Sequence, residues 1–371
     1  MIPNQRLPSS LTPLDAALRM LLDGLAPVAS DQQPLAEALG CIAAAMPPFG
    51  RVPARDMAAV DGWALASRDL VGASSYSPLP LPQPPAWVEA GDAMPAGCDC
   101  VVDADLVDAS GPLVQVVAEA IPGQGVRRAG QDVAGGPVMA AGQPLRAIDL
   151  LAARAAGLQT CAVRRPRLHL VNVPTENSVT ASFVADQAAA SGIAVTRADA
   201  PGRDVASIVH ALDPRPCDVV VTIGGTGVGR GDAAIAALAT CGRLLAHGIA
   251  LQPGRTAAIG RIANVPVIAL PGAPDQALAV WWTVALPVLD RLSGRQPRKS
   301  VALPLARKIA SGVGINEIVL VRNADGCWLP LASGELALEA IARADAWLAV
   351  PAGSEGYAAG TPVDAYMMTR D

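Results

Sequence analysis

The chain has 371 residues, a formal net charge of −5, and a composition that is 51% hydrophobic, 16% charged and 3% aromatic. That acidic balance, with no basic run and two Phe and three Tyr to stack on bases, argues against a nucleic-acid partner. Mean hydropathy is +0.35, but no stretch of about 18 apolar residues is free of charge and proline, and residues 1–20 lack a signal-peptide pattern; the expectation is a cytoplasmic chain with no membrane span.

Length allows two to four domains, and 35 glycines and 33 prolines spread along the chain suggest many turns and several small domains. Leu14, Leu18, Leu21, Leu22 and Leu25 have helical apolar spacing behind Thr12 and Pro13, which predicts a helix over 14–25. A second short helix is expected over 35–39, stopped by Gly40. The proline-rich run 77–85 reads as an extended connector. From 87 to about 142 short β-like runs (100–102, 113–117, 137–139) alternate with Gly/Pro turns, as in a small all-β domain. Residues 147–157 are again helical. From Arg167 onward strands (168–173, 194–197, 219–223) alternate with helices (182–191, 205–212, 233–240), the pattern of a parallel sheet with right-handed crossovers. Residues 265–270 read as a further buried strand, followed by Pro271-Gly-Ala-Pro274 and a helix carrying Trp281 and Trp282. A linker is expected at 294–299, and a second small β domain after Val301, with strands at 318–321, 347–350 and 363–367.

The most informative stretch runs from Cys217 to Asp232. Its apolar β-branched run ends in five glycines within eight residues, Gly224 to Gly231, and a helix is expected to begin at Asp232. Glycines this dense let backbone N–H groups approach a ligand, and a helix N-terminus beyond them favours phosphate or another oxyanion. The plainer reading is a tight strand-to-helix turn with Asp232 as its N-cap. No Gly-Lys-Ser/Thr follows, so the turn is not a P-loop. The seven cysteines contain no C-x-x-C, and Cys98 and Cys100, followed by Val101 and Val102, read as small strand residues ahead of a metal or redox pair. His169, His210 and His247 are isolated, so no structural zinc is expected.

Several motifs coincide with one family. Asp61-Gly-Trp-Ala64 resembles the M-D-G-Y-A motif of the molybdopterin molybdenumtransferases, the MoeA and gephyrin E-domain family. The run from Gly91 to Val102 is similar to G-A-x-x-P-x-G-A-D-x-V-V, and Val126-Arg127 with Gly130-Gln-Asp132 to V-R-x-x-G-E-D. The run from Gly224 to Asp232 resembles G-G-V-S-V-G-x-x-D, while Pro253-Gly-Arg255 and Leu270-Pro-Gly-Ala-Pro274 resemble K-P-G-K-P and L-P-G-N-P. The likeness runs collinearly from about residue 11 to 368.

The resemblance implies an α/β plus β multidomain chain: a discontinuous N-terminal helical domain (1–50 and 145–165), a small β-rich domain (51–144), a central α/β molybdopterin-binding domain with a parallel-rich sheet (166–296), and a C-terminal β domain (297–371). It implies a homodimer whose site the partner subunit completes; the scarcity of aromatics, which leaves each small domain a modest core, points the same way. The implied reaction inserts molybdate into adenylylated molybdopterin with release of AMP, assisted by Mg²⁺, and a molybdoenzyme would receive the product. Carried over, Asp61, Asp132, Glu176 and Asp232 are the expected catalytic acids, Glu176 and Asp232 also the expected metal ligands. Gly224, Gly225, Thr226, Gly227, Gly229, Arg230, Pro253, Gly254, Arg255, Pro271, Gly272 and Pro274 are the expected cofactor-binding residues.

The match is uneven at the site. Family serines are replaced by Ala58 and Gly227, a threonine by Ala90, and the two lysines of K-P-G-K-P by Gln252 and Arg255. The T-G-D-E turn appears as Pro174-Thr-Glu-Asn177, and the Asn of L-P-G-N-P is Ala273. Two alternatives to an active transferase therefore stay open: a protein that binds or delivers the molybdopterin cofactor without inserting metal, and a scaffold whose site is vestigial.

Overall fold

The computed structural model describes residues 5–136, 139–174, 179–212 and 216–368. They divide into two compact units: unit 1 comprises Met1–Ala44, Ala141–Leu145 and Ala162–Asp371, and unit 2 comprises Ala45–Ala140 and Arg146–Cys161.

Unit 1 is built on helix α1 (Leu14–Leu22) and an alternation of β1 (Arg167–Asn172), α2 (Val179–Ala190), β2 (Ala194–Asp199), α3 (Val205–Ala211), β3 (Val219–Ile223), α4 (Ala234–Cys241), β4 (Arg243–His247), β5 (Ala258–Ile262), β6 (Val265–Leu270) and α5 (Pro274–Val280). The six strands form one sheet in the order β2-β1-β3-β6-β5-β4. β2, β1, β3 and β6 run parallel, as their buried runs predict, whereas β5 pairs antiparallel with both β6 and β4. That antiparallel edge was not foreseen: Gly260 and the alanines of these strands blur the period-two pattern that would mark them.

Helices cover both faces of the sheet. Leu168, Leu170, Val219, Val221 and Ile223 pack with α1, α2 and the helices after β6, while Val171, Val173, Val220 and Val267 pack with Ile208 of α3 and Ala237 and Leu238 of α4. His169 is a satisfied core residue, 1% exposed, with Nε2 donating to the Ala211 carbonyl at 2.9 Å and Nδ1 3.2 Å from the Thr196 hydroxyl. Residues 35–37 form a turn after the strand Asp31–Pro34, not the expected helix, although Leu35 and Ala38 are buried. Five residues between a strand-ending proline and Gly40 are too few to repay helix nucleation.

After α5 the chain makes a π-helical turn (Trp281–Ala285) and a helix (Leu286–Ser293) ended by Gly294 in the left-handed region at φ 63°. Trp282 stacks on Trp347 at 5.3 Å. The C-terminal strands form a second sheet in the order Leu251–Gln252, Asn316–Ala324, Ala346–Val350, Pro362–Met367, Ser300–Pro304, with Cys327–Ser333 also paired to Asn316–Ala324. Leu251–Gln252 comes from the α/β segment, so the C-terminal sheet is continuous with it in unit 1.

Unit 2 has shorter elements. Gly62–Leu65 lies between Ala86–Val88 and Cys100–Val102, Met57–Ala58 pairs with Val126–Arg127, and Gln115–Val116 pairs with both Leu79–Pro80 and Val107–Asp108. The expected connector thus contributes a two-residue strand. Leu65, Leu70, Cys100, Val102 and Val116 form its larger core. Helix Ala147–Ala155 starts where expected; the expected strand at 137–139 falls largely outside the described residues. Among the described residues, no helix is long and apolar enough to cross a membrane.

Candidate functional site

The carboxyl ends of the four parallel strands lie in register: Asn172 sits opposite Asp199 and Ile223, and Ile223 opposite Leu270. The loops beyond them, where parallel sheets gather ligand groups, begin at Pro174, Ala200, Gly224 and Pro271. Gly224 and Gly225 take φ of 91° and 70°, which glycine alone adopts at little cost. Gly224 N–H donates to the Leu270 carbonyl at 2.9 Å, and a Cβ built on Gly272 would lie 3.5 Å from Gly224 Cα, so the two glycine loops touch backbone to backbone. The Thr180 hydroxyl holds the second loop by donating to the Gly272 carbonyl at 2.8 Å.

Beyond Gly225 the 224–232 loop closes on its own side chains. Helix α4 begins at Ala234, and its N-cap, Ala233, makes no side-chain cap. Asp232 instead folds back, Oδ2 accepting from Gly229 N–H at 3.0 Å and Oδ1 from Arg203 Nη2 at 3.0 Å. Arg203 also donates to the carbonyls of Pro174 (3.1 Å) and Gly231 (3.3 Å), tying three strand-end loops together. Gln5 enters from the N-terminal segment: its amide donates to the carbonyls of Gly225 (3.1 Å) and Gly227 (2.8 Å) and accepts from Ile235 N–H at 2.8 Å. Three of the N–H groups that the glycine turn offers an anion, those of Gly229, Ala234 and Ile235, thus already have internal partners.

The loop is joined to an open cavity. Thr226, 2% exposed, shares a hydrogen bond of 3.2 Å with the Thr256 hydroxyl, and His247 Nε2 donates to its carbonyl at 3.1 Å. Thr256 lines a cavity of about 660 Å³ whose walls also include Gln252, Pro253, Gly254 and Arg255, then Pro274, Asp275 and Gln276, and on the C-terminal side residues 334–338. Gly254 is at φ 112°, and a Cβ there would lie 2.7 Å from Val280 Cγ2, so a side chain is barred. Gln252, where the family has lysine, donates its amide to the Gly334 carbonyl at 3.1 Å. Arg255 is the cation of the lining, against the acids Asp275 and Glu335.

The expected residues thus fall into groups. Gly224, Gly225, Thr226, Gly227, Gly229 and Asp232 share the loop; Arg230 is exposed on it. Pro253, Gly254, Arg255 and Pro274 share the cavity. Pro271 is buried and Gly272 exposed, beside Gly224. Asp61 and Asp132 belong to unit 2. Asp61 accepts from Ala90 N–H at 2.7 Å, and Asp132 accepts from Arg127 Nη2 at 2.6 Å. Glu176 and Asn177 lie outside the described residues. Arg203, Gln5, His247 and the 334–338 wall were missed. Arg203 had a signal: it lies four residues past the end of a parallel strand, where ligand-facing loops begin.

Among the described residues no group of three or more His, Cys, Asp or Glu side chains gathers to hold a metal. Asp232, one of the two expected magnesium ligands, has both oxygens in hydrogen bonds, and the other, Glu176, lies outside the described residues. Cys98 and Cys100 are thiols: burial raises both, Cys100 to about 11, which disfavours metal or redox chemistry at neutral pH.

Comparison with known proteins matches these features region by region. Residues 12–157 match the MoeA N-terminal region (domain I and II), residues 174–291 a probable molybdopterin binding domain, and residues 302–368 the MoeA C-terminal region (domain IV). The chain is 28% identical over 299 residues to molybdopterin molybdenumtransferase 2 of Mycobacterium tuberculosis, across 68% of this chain and 73% of that one. It is 27% identical over 355 residues to the molybdopterin molybdenumtransferase of Synechococcus elongatus, across 84% and 88%. The crystal structure of the molybdopterin biosynthesis MoeA protein from Pyrococcus horikosii aligns with a TM-score of 0.69 at 25% identity, covering 97% of this chain and 100% of that one. Two MoeA regions flanking a probable molybdopterin binding domain, in order along the chain and carried on the matching fold, lead to one conclusion: the chain belongs to the MoeA family of molybdopterin molybdenumtransferases.

Proposed function

We propose that this protein is a molybdopterin molybdenumtransferase of molybdenum cofactor biosynthesis, inserting molybdate into adenylylated molybdopterin with release of AMP. The observation that carries the reading is the Thr226–Thr256 hydrogen bond, which fastens the strand-end glycine loop to the wall of a cavity of about 660 Å³. A glycine-rich strand end suits the phosphates, and the adjoining cavity has room for the oxyanion to be inserted. In the reaction, water cleaves the phosphoanhydride, AMP leaves with its phosphate, and the two dithiolene thiols bind the metal in place of two molybdate oxygens, which leave as water with the thiol protons and two from solvent. Arg255 is the cavity group that attracts the molybdate dianion. Asp61, Asp132, Glu176 and Asp232 are the proposed catalytic acids.

A second reading is favoured by one feature. With Gln252 in place of lysine and bonded to Gly334, the lining holds one cation against two acids, a poor field for a dianion. On this reading the protein binds or delivers the finished cofactor. Supplying adenylylated molybdopterin and molybdate separates the two: molybdate-dependent AMP release identifies the transferase, and binding without AMP release identifies the carrier.

The proposal includes a homodimer and a molybdoenzyme that accepts the product. Ile148 and Leu151, each 64% exposed and one turn apart on the unit 2 helix, are apolar surface that a second copy would cover. Sedimentation at micromolar concentration tests this; a monomer would count against it.

A further inference from the structure

The 224–232 loop carries its own anion. Asp232 Oδ2 sits where a Cβ on Gly227 would come within 2.7 Å and one on Gly229 within 2.9 Å. Neither glycine is in the left-handed region, so their smallness is required for room, and the room is filled by a carboxylate oxygen. Two donors hold that carboxylate: Gly229 N–H and the Arg203 guanidinium. A backbone N–H in a glycine hollow and an arginine fork are also what recognises a phosphate oxygen. Arg203 has five N–H bonds to give. Those made to Asp232, Pro174 and Gly231 leave one further N–H on each terminal nitrogen of a side chain that is 40% exposed. Asp232, 17% exposed, is the more enclosed partner.

We infer that Asp232 is a placeholder for the anionic end of the ligand, and that Arg203 and Gly229 N–H pass from its carboxylate to a phosphate when the ligand binds. The inference rests on the function proposed above and assigns to that site a phosphate-binding residue, Arg203, outside every motif of the family resemblance. It makes the sign of one mutation unusual. If Asp232 merely braced the loop, neutralising it would loosen the donors and weaken anion binding. As a placeholder, it competes with the anion, and neutralising it strengthens binding.

The test is calorimetric titration of the full chain with inorganic pyrophosphate in magnesium-free buffer. Asp232→Asn is expected to bind about tenfold more tightly than the unmodified chain, the order of one hydrogen bond to a charged group. The gain is expected to vanish in Asp232→Asn with Arg203→Ala, which removes the fork, and in Asp232→Asn with Gly227→Ala, which fills the hollow. Thermal melting shows that each variant is folded; if Asp232→Asn is not, Asp232→Ser carries the same expectation. Equal or weaker binding by the folded neutral variant overturns the inference. So does a gain that survives Arg203→Ala, and so does the absence of pyrophosphate binding throughout. A chain that binds adenylylated molybdopterin but shows no gain with the neutral variant refutes the placeholder alone. A neutral variant that gains pyrophosphate in a chain that never binds adenylylated molybdopterin refutes the functional reading alone.

Discussion

The two units set their carboxylates on different scaffolds. In unit 2, where strands are two to four residues long, acids satisfy backbone N–H groups that no ladder reaches. Asp56 accepts from Ala129 N–H and Asp61 from Ala90 N–H, each at 2.7 Å, Asp92 accepts from Glu89 N–H at 2.9 Å, and Asp99 from both the N–H and the hydroxyl of Ser67. In unit 1 acids also pin backbone, Asp204 accepting from Ser207 N–H at 3.0 Å and Asp345 from Asn323 N–H at 2.8 Å, but at the end of a six-stranded sheet Asp232 does so together with an arginine and closes a strand-end loop. An acid in a family motif can therefore pin a turn, take part in chemistry, or do both. The lesson is to test these roles with substitutions that keep the pin and remove the charge.

The largest expected effect concerns the cavity floor. Gly254→Val forces a side chain into a φ of 112° and against Val280, and should cost about 3 kcal/mol or more of unfolding free energy, read from urea midpoints. A near-neutral result would mean that the 253–256 turn relaxes freely and that the cavity is not a built feature. Next is Asp61→Asn, which still accepts from Ala90 N–H and should leave the melting temperature within a degree or two. With Asp61 a catalytic acid, AMP release should fall about a hundredfold; unchanged turnover would reduce Asp61 to a turn pin like Asp92.

A smaller change is expected from Gln252→Lys. It restores a cation to the cavity lining at the cost of the bond to Gly334, and should raise the molybdate-dependent rate several-fold while shifting stability by about 1 kcal/mol or less. A rate that falls would show that the Gln252–Gly334 bond matters more to the cavity than its charge. A pH effect lies in unit 2. An unfolded cysteine ionises near about 8.5, whereas burial, then Asp99, holds Cys100 up to about 11. Above about pH 8.5 the unfolded chain loses this proton first, so the contribution of Cys100 is full below that pH and declines towards about 11. Unfolding midpoints of the unmodified chain and Cys100→Ala should converge over that window.

Much of unit 1 was legible because its strands are buried on both faces and read as apolar runs with no alternation to misplace, as in Val219 to Ile223. The antiparallel pair β4 and β5 was not legible, since Arg243, Gly260 and Arg261 give no strand period. The glycine loop of the candidate site was legible because glycine density is a local signal. Gln5 was not, because its contacts span more than 200 residues and leave no trace in spacing, and Arg203, 29 residues from Asp232, is marked only by its place just past a parallel strand. The start of α4 was misplaced by two residues for a related reason: Asp232 looks like an N-cap in sequence, but Arg203 draws its carboxylate away from the helix.

The most direct test of the account is to present the unmodified chain with adenylylated molybdopterin and follow AMP with and without molybdate. The account predicts that the ligand binds and that AMP appears in a molybdate-dependent manner. No binding of adenylylated molybdopterin at any molybdate concentration would contradict it, and would leave the glycine loop and the cavity beside it as features of the fold alone.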